Sequence, residues 1–236
     1  MQRYFSNIKE GNEYLLSSDD SYHIKKVMRM KISDKIEIVD NKKVYLCEII
    51  SFEPVKAKVI NEIDEIHDNK HQIIIVQSLV NENKMDLILQ KGTELGMTSF
   101  YGYKAINSVV KENDKSDKKI IRWQKIVKEA SEQSKRNDIP SIDGIIDIKG
   151  LCEVKADLKI ILSVKEKSNT LKKVLQKNSN CDTMIIVIGP EGGFEDSEEN
   201  KLIENGFIPT TLGNRVLRTE TASIACLSMI NYEWMV

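Results

Sequence analysis

The chain has 236 residues, 41% of them hydrophobic and 30% charged, with a formal net charge of −1. That is the make-up of an ordinary globular protein of one large or two small domains, and it argues against a uniformly basic nucleic-acid coat, though not against a local basic face. No stretch approaches the roughly 18 consecutive apolar residues of a membrane span, and the charged start MQRYFSNIKE lacks the apolar core of a signal peptide, so a cytoplasmic protein is expected.

In chain order, residues 1–70 carry short runs with β-branched residues at period two: KIEIVD (35–40), VYLCEIISF (44–52) and VKAKVINEI (55–63). They predict a small β-barrel or sandwich, with HIKKVMRM (23–30) as a short helix and a polar linker from Asp64 to Lys70. From residue 71 the pattern changes. Continuous apolar runs at 72–79, 158–164 and 184–189 read as strands buried on both faces, with helices expected at 83–95, 119–136, 168–177, 196–206 and 221–233. This is an α/β domain with a mainly parallel sheet, spanning 71–236, whose ligands belong at the carboxyl ends of its strands. Trp123 is spaced for core packing, Gly96 for closing a helix, and His23 for a structural role.

Four scattered cysteines (Cys47, Cys152, Cys181, Cys226) without a CxxC pair suit reduced thiols, and no metal site is expected. The histidines are His23, His67 and His71, so chemistry in the long C-terminal part must run without histidine.

Two loops carry the candidate chemistry. GPEGGFEDSEEN (189–200) follows a buried strand, its glycines allowing close backbone approach to a ligand. It has neither GxxxxGK[ST] nor GxGxxG, and Glu191, Glu195, Asp196, Glu198 and Glu199 stand where a phosphate would bind. A nucleoside carrying a cationic sulfonium suits it better than a polyphosphate. In the second loop, a strand over 208–212 ends at Gly213-Asn214, Arg215 and Arg218 follow three apart, and Thr219 or Thr221 is placed to cap a last helix that opens on small residues.

IGPEGGF (188–194) followed by LGNRVLRTETA (212–222) resembles the signature of the RsmE family, the 16S rRNA uridine N3-methyltransferases of the SPOUT class. KGTELG (91–96), RWQKIVKEASEQSKR (122–136), MQRYF (1–5) and HIKKVMR (23–29) resemble further stretches of the same family, so the likeness spans nearly the whole chain. Gly92 stands where alanine is usual, Lys135 where glycine is common, and Asp40-Asn41 replaces an Asp-Gly turn.

The resemblance implies a PUA-like β-barrel domain over 1–70 and a SPOUT methyltransferase domain over 71–236 with a C-terminal trefoil knot. It implies S-adenosylmethionine held by Leu162, Ser163, Val164, Ile188, Gly189, Pro190, Glu191, Gly192, Gly193, Leu212, Gly213, Asn214, Arg215, Val216, Leu217, Thr219, Thr221 and Ala222. It further implies a homodimer acting on 16S rRNA of the small ribosomal subunit, forming 3-methyluridine near the decoding centre. Arg136 or Arg218 is the candidate for stabilising a uracil anion, and Glu129 or Glu220 for accepting its proton.

Residues 104–136 hold ten basic side chains against five acidic ones, a candidate RNA-facing patch that makes Lys111, Arg122 and Lys135 RNA-binding candidates. Arg3, Lys25, Lys26 and Arg29 would add a contact on the small domain. Two other readings stay open: a SPOUT enzyme acting on tRNA or a ribose 2′-hydroxyl, and a non-catalytic RNA-binding assembly factor. A nicotinamide-dependent dehydrogenase is disfavoured, because its glycine fingerprint is missing.

Overall fold

The computed structural model describes residues 1–64, 71–108 and 116–234. It divides into two compact units, Met1–Asp68 with Ser131–Ile139, and Asn69–Ala130 with Pro140–Val236. A single cut along the chain near residue 70 cannot express the return of Ser131–Ile139 to the first unit.

The first unit contains β1 (Arg3–Phe5), β2 (Lys9–Glu10), β3 (Glu13–Leu15), α1 (Ser18–Tyr22), β4 (Lys35–Asp40), β5 (Lys43–Phe52) and β6 (Val55–Ile63). They form one six-stranded sheet in the order β1-β4-β5-β6-β3-β2. Its two edge strands are joined by only residues 6–8, so the sheet curls round on itself. Asn41 and Lys42, at φ 48° and 66°, turn β4 into β5, both in the left-handed region that a two-residue hairpin matched to sheet twist demands. Tyr4, Tyr14, Ile24, Ile36, Ile38 and Ile49 fill the interior. His23 is structural as expected, bonded through Nδ1 to the Tyr4 hydroxyl at 2.9 Å.

The helix expected over 23–30 begins earlier. Ser17 caps it by accepting the Asp20 N–H at 3.1 Å, α1 ends at Tyr22, and His23–Val27 form a single π-helical turn. Arg29 at φ 52° then stops the run. The apolar spacing of Ile24, Val27 and Met28 hid the cap signal seven residues upstream of Ile24.

The second unit contains β7 (Gln72–Ser78), α2 (Glu82–Glu94), β8 (Ser99–Tyr103), α3 (Ser116–Gln133, which belongs to the first unit from Ser131 on), β9 (Ser141–Ile146), α4 (Ile148–Glu153), β10 (Leu158–Leu162), α5 (Leu171–Lys177), β11 (Thr183–Ile188), α6 (Asp196–Glu204), β12 (Ile208–Thr210) and α7 (Thr219–Trp234). Its sheet runs β12-β10-β11-β7-β8-β9, and every pairing is parallel.

Both faces are covered, which is why the strand sequences are continuously apolar. Ile73 and Ile75 pack with Ile88 of α2, Leu175 of α5 and Leu227 of α7, while Val76 and Val187 pack with Leu151 of α4 and Leu202 of α6. Trp123 is in this core, edge-on to Phe100 with ring centroids 5.5 Å apart. Gly92 leaves a space that Met97 enters, since a Cβ there would meet its sulfur at 3.2 Å.

From β7 the chain steps outward to β8 and β9, then returns to the far side of β11 for β10. The loops after β10, β11 and β12 therefore gather at the carboxyl ends of one half of the sheet. This is the switch point where parallel sheets take their ligands.

Candidate cofactor pocket

Three loops enclose a cavity of about 440 Å³, walled by Leu162–Lys165 and Lys167, by Ile188–Phe194, and by Thr210–Thr219 with Ala222. Each cofactor-pocket residue named from the sequence lies in this wall except Thr221, which is exposed on α7. Arg218, named there for catalysis, lines the same cavity. The wall also includes Lys165, Lys167, Phe194, Glu199, Thr210 and Thr211, which the sequence reading missed. β10 ends at Leu162, two residues before its apolar run does, so the loop that brings Lys165 inward starts earlier than the hydropathy suggests.

Hydrogen bonds shape the pocket from beneath. Gln77, fully buried near the end of β7, donates to the Thr219 hydroxyl at 2.8 Å and accepts from the Ser223 hydroxyl at 2.7 Å. Thr219 in turn donates to the Gly189 carbonyl at 2.7 Å. Its hydroxyl thus ties the last helix to the glycine loop rather than capping that helix, and the first intrahelical bond is Ala222 N–H to the Arg218 carbonyl at 2.8 Å. Ser78 adds a bond to the Ile188 carbonyl at 2.8 Å.

The outer loops are pinned as well. Glu166 Oε1 accepts from the backbone N–H groups of Lys167, Ser168 and Asn169 and from the Ser168 hydroxyl. Those donors, the Asn169 N–H foremost, hold its carboxyl down at about 2. The Asn169 carbonyl then accepts the Thr211 N–H at 2.9 Å, and Leu171 N–H donates to the Thr211 carbonyl at 3.0 Å, which fixes the base of the second loop.

The acidic residues of the first loop have a different use from the one their sequence suggests. Glu198 is 3% exposed and accepts from the Tyr103 hydroxyl at 2.8 Å, the Ile106 N–H at 3.0 Å and the Glu195 N–H at 3.3 Å, closing a capping box on α6. Lys165 pairs with Asp196 and, at 2.9 Å, with Glu199. Lys84 pairs with Glu191 at 2.7 Å. These carboxylates therefore brace the loop, and only Glu191 and Glu199 reach the pocket wall.

The cavity has the make-up of a nucleoside-cofactor site, part backbone and part apolar side chain. Backbone forms much of it: a Cβ on Gly189 would lie 3.0 Å from the Phe194 ring, and one on Gly192 3.2 Å from Asn107 Cβ. Residues 212–218 form neither helix nor strand; the Gly213 peptide groups bond to the Thr211 hydroxyl and the Arg218 carbonyl accepts from Ala222, and the other peptide groups of this wall are the ones to hydrogen-bond a flat heterocycle.

The other named residues are dispersed. Arg136 is 8% exposed in the first unit, with its guanidinium on Asp138 at 2.9 Å. Glu129 is exposed on α3, and Glu220 is half-buried at the start of α7. Thr93 is enclosed, donating to the Leu89 carbonyl at 2.8 Å.

Of the RNA-facing set, Lys26 and Arg29 are exposed and Lys25 is half-buried. Lys111 lies outside the described residues. Arg122 is engaged by Glu82 and Asp86. Arg3 has no surface to offer RNA: it is 1% exposed, held by Glu37 at 2.9 Å, Asn137 at 2.7 Å and the Lys135 carbonyl. Lys135 sits at φ 63°, the conformation a glycine would favour, with its ammonium on Glu37 at 2.7 Å. Among the described residues no cluster of three or more His, Cys, Asp or Glu is arranged to hold a metal ion, and no helix is long and apolar enough to cross a membrane.

Residues 67–231 match an RNA methyltransferase domain family, and residues 16–60 the PUA domain of RNA methyltransferases. Ribosomal RNA small subunit methyltransferase E of Bacillus subtilis is 34% identical, the alignment covering 99% of this chain and 97% of that protein. The chain belongs to this family. It is an RNA methyltransferase with a PUA-like first unit and a parallel-sheet second unit. A solved ribosomal RNA small subunit methyltransferase E from Neisseria gonorrhoeae, bound to S-adenosylmethionine, superposes with a TM-score of 0.89 at 28% identity, covering 99% of this chain and 98% of that one. A methyltransferase from Legionella pneumophila in complex with the same cofactor gives a TM-score of 0.90 at 28% identity, covering 98% and 96%.

Proposed function

We propose that the protein transfers a methyl group from S-adenosylmethionine to N3 of one uridine in 16S rRNA of the small ribosomal subunit, in the cytoplasm. The observation that carries this reading is the three-loop pocket itself, in a family whose relatives of solved structure hold that cofactor.

The cofactor, when bound, supplies an electrophilic methyl group. The walls 162–165, 188–194 and 210–219 would hold it, with catalysis arising chiefly from alignment of the base against it. Uracil N3 carries a proton at neutral pH that must leave as the nitrogen attacks. Arg218 lines the pocket and is exposed, and no ion pair or hydrogen bond engages its guanidinium among the described residues. It is therefore the group to stabilise negative charge building on the uracil ring. Glu220, two residues on, is the favoured proton acceptor, since no histidine follows His71. Arg136 and Glu129 lie outside the pocket wall; Glu220 does too, but it adjoins Thr219, which lines the cavity, so Glu129 falls behind it and Arg136 behind Arg218. Lys25, Lys26 and Arg29 form the basic stretch we assign to RNA phosphates on the first unit.

The test is to incubate small subunits from a strain lacking the gene with the protein and labelled cofactor, and then map the methylated nucleotide. A single 3-methyluridine in 16S rRNA is expected; label on ribose or on tRNA overturns the reading. Arg218→Ala should lower turnover by about 10²–10³-fold while cofactor affinity stays within about threefold of wild type. Wild-type turnover would remove Arg218 from the mechanism.

We further propose a homodimer joined through α7, whose outer face exposes Thr221, Ser228, Met229 and Tyr232, the last at 85%. Sedimentation of the wild type should give a dimer and of Tyr232→Glu a monomer. A wild-type monomer sinks this proposal.

A further inference from the structure

We propose that Lys84 is a positioning residue that clasps the Gly189–Gly193 loop to the start of α7, setting the shape of the pocket before any ligand arrives. The proposal rests on the functional reading above for the identity of the ligand, but its geometry stands apart from it.

Lys84 lies on the first turn of α2, where Asn81 caps the helix and accepts the Lys84 N–H at 3.0 Å. Its ammonium is 2.7 Å from Glu191 Oε1 and 3.7 Å from Glu220 Oε2. Glu191 belongs to the pocket wall after β11, and Glu220 follows Arg218 and Thr219, which line the same cavity from the last loop and the start of α7. Three elements far apart in the chain thus meet at one cation that does not itself line the cavity. The three side chains keep only 25%, 34% and 14% of their exposure, so solvent screens the contacts incompletely.

Without the lysine, two carboxylates would face each other across the two segments that must close on the ligand, and their repulsion would part them. The nearby bond from the Thr219 hydroxyl to the Gly189 carbonyl joins the same two segments. The pair makes a two-point clasp, one neutral and one charged. The ionisation agrees: the hydrogen bond to Glu191 raises Lys84, and for Glu191 burial pushes upward but Lys84 together with a backbone N–H outweighs it, leaving the carboxyl low.

Two variants and two measurements test the clasp. In protein without cofactor, Lys84→Met should speed amide hydrogen exchange at residues 191–194 by about fivefold while amides of β7 keep wild-type rates, which separates opening of the clasp from general destabilisation. By titration calorimetry, Lys84→Met should weaken S-adenosylmethionine binding by about fivefold, and Lys84→Arg should restore it to within about twofold. Wild-type exchange in the glycine loop of Lys84→Met, or equal weakening in Lys84→Met and Lys84→Arg, overturns the proposal. Failure of the wild-type protein to bind the cofactor would overturn the functional reading instead, and the exchange comparison would still decide the clasp.

Discussion

Gln77→Leu is expected to destabilise the second unit by about 2–4 kcal/mol and to weaken cofactor binding more than any single substitution in the pocket wall. Leucine is close in volume, so the loss is one of hydrogen bonding. The amide of Gln77 is fully buried, donating to Ser78 O at 3.1 Å and to Thr219 Oγ1 at 2.8 Å, and accepting from Ser223 Oγ at 2.7 Å. Ser223 keeps a fallback bond to the Thr219 carbonyl at 3.1 Å. Thr219 Oγ1 keeps its bond to Gly189 but loses its donor, on a residue that is only 5% exposed. The hydroxyl then has less reason to keep the rotamer that holds Gly189. Urea denaturation should report a lower midpoint with unchanged slope, and calorimetry a rise in the cofactor dissociation constant. A wild-type midpoint would show that the network is not cooperative and that β7 and α7 are held by packing alone.

The parallel sheet was legible because strands buried on both faces carry continuous apolar runs, as 73–76 and 184–188 do. β8 and β9 escaped for a physical reason. SFYGY carries Gly102, a poor strand former read from sequence, yet a Cβ there would meet Trp123 at 3.0 Å, Ile145 at 3.1 Å and Leu79 at 3.2 Å. The residue is chosen by its tertiary neighbours, which local propensity does not encode.

In the pocket, Gly189–Gly193 and 212–218 were readable because backbone approach needs glycine and an irregular loop. Lys84 and Gln77 were not, since each acts on the pocket through a partner more than 100 positions away. The acidic loop misled in the same way, its carboxylates being matched by Lys165, Lys84 and Tyr103 from other elements. A knot, which the family resemblance implies, is likewise a property of threading order and leaves no periodicity to read.

Arg3→Met should unfold the first unit preferentially, at a cost of about 3–5 kcal/mol. The arginine side chain is wholly enclosed and Glu37 nearly so, at 12%. Removing the cation leaves Glu37 with Lys135 alone and strips the Asn137 side chain and the Lys135 carbonyl of a donor. Lys135 is then asked to hold a left-handed backbone, a conformation unfavourable for a side-chain-bearing residue by roughly 1 kcal/mol, with less of the network that fixes it.

The pH dependence follows from Glu37. Burial pushes its carboxyl up, but the hydrogen bonds from Lys135 and Arg3 outweigh burial and hold it below its ordinary 4.5. A depressed carboxyl stabilises the fold fully above its unfolded value and loses that contribution as pH falls through the folded one. Wild-type stability of this unit should therefore decline below about pH 4.5, and Arg3→Met should show a shallower decline because its Glu37 starts less depressed. Circular dichroism melts of both proteins between pH 7 and pH 3 read the difference directly. Parallel pH profiles for the two would mean that Lys135 alone sets the Glu37 carboxyl, and that the enclosed arginine acts through packing and the Asn137 and Lys135 contacts.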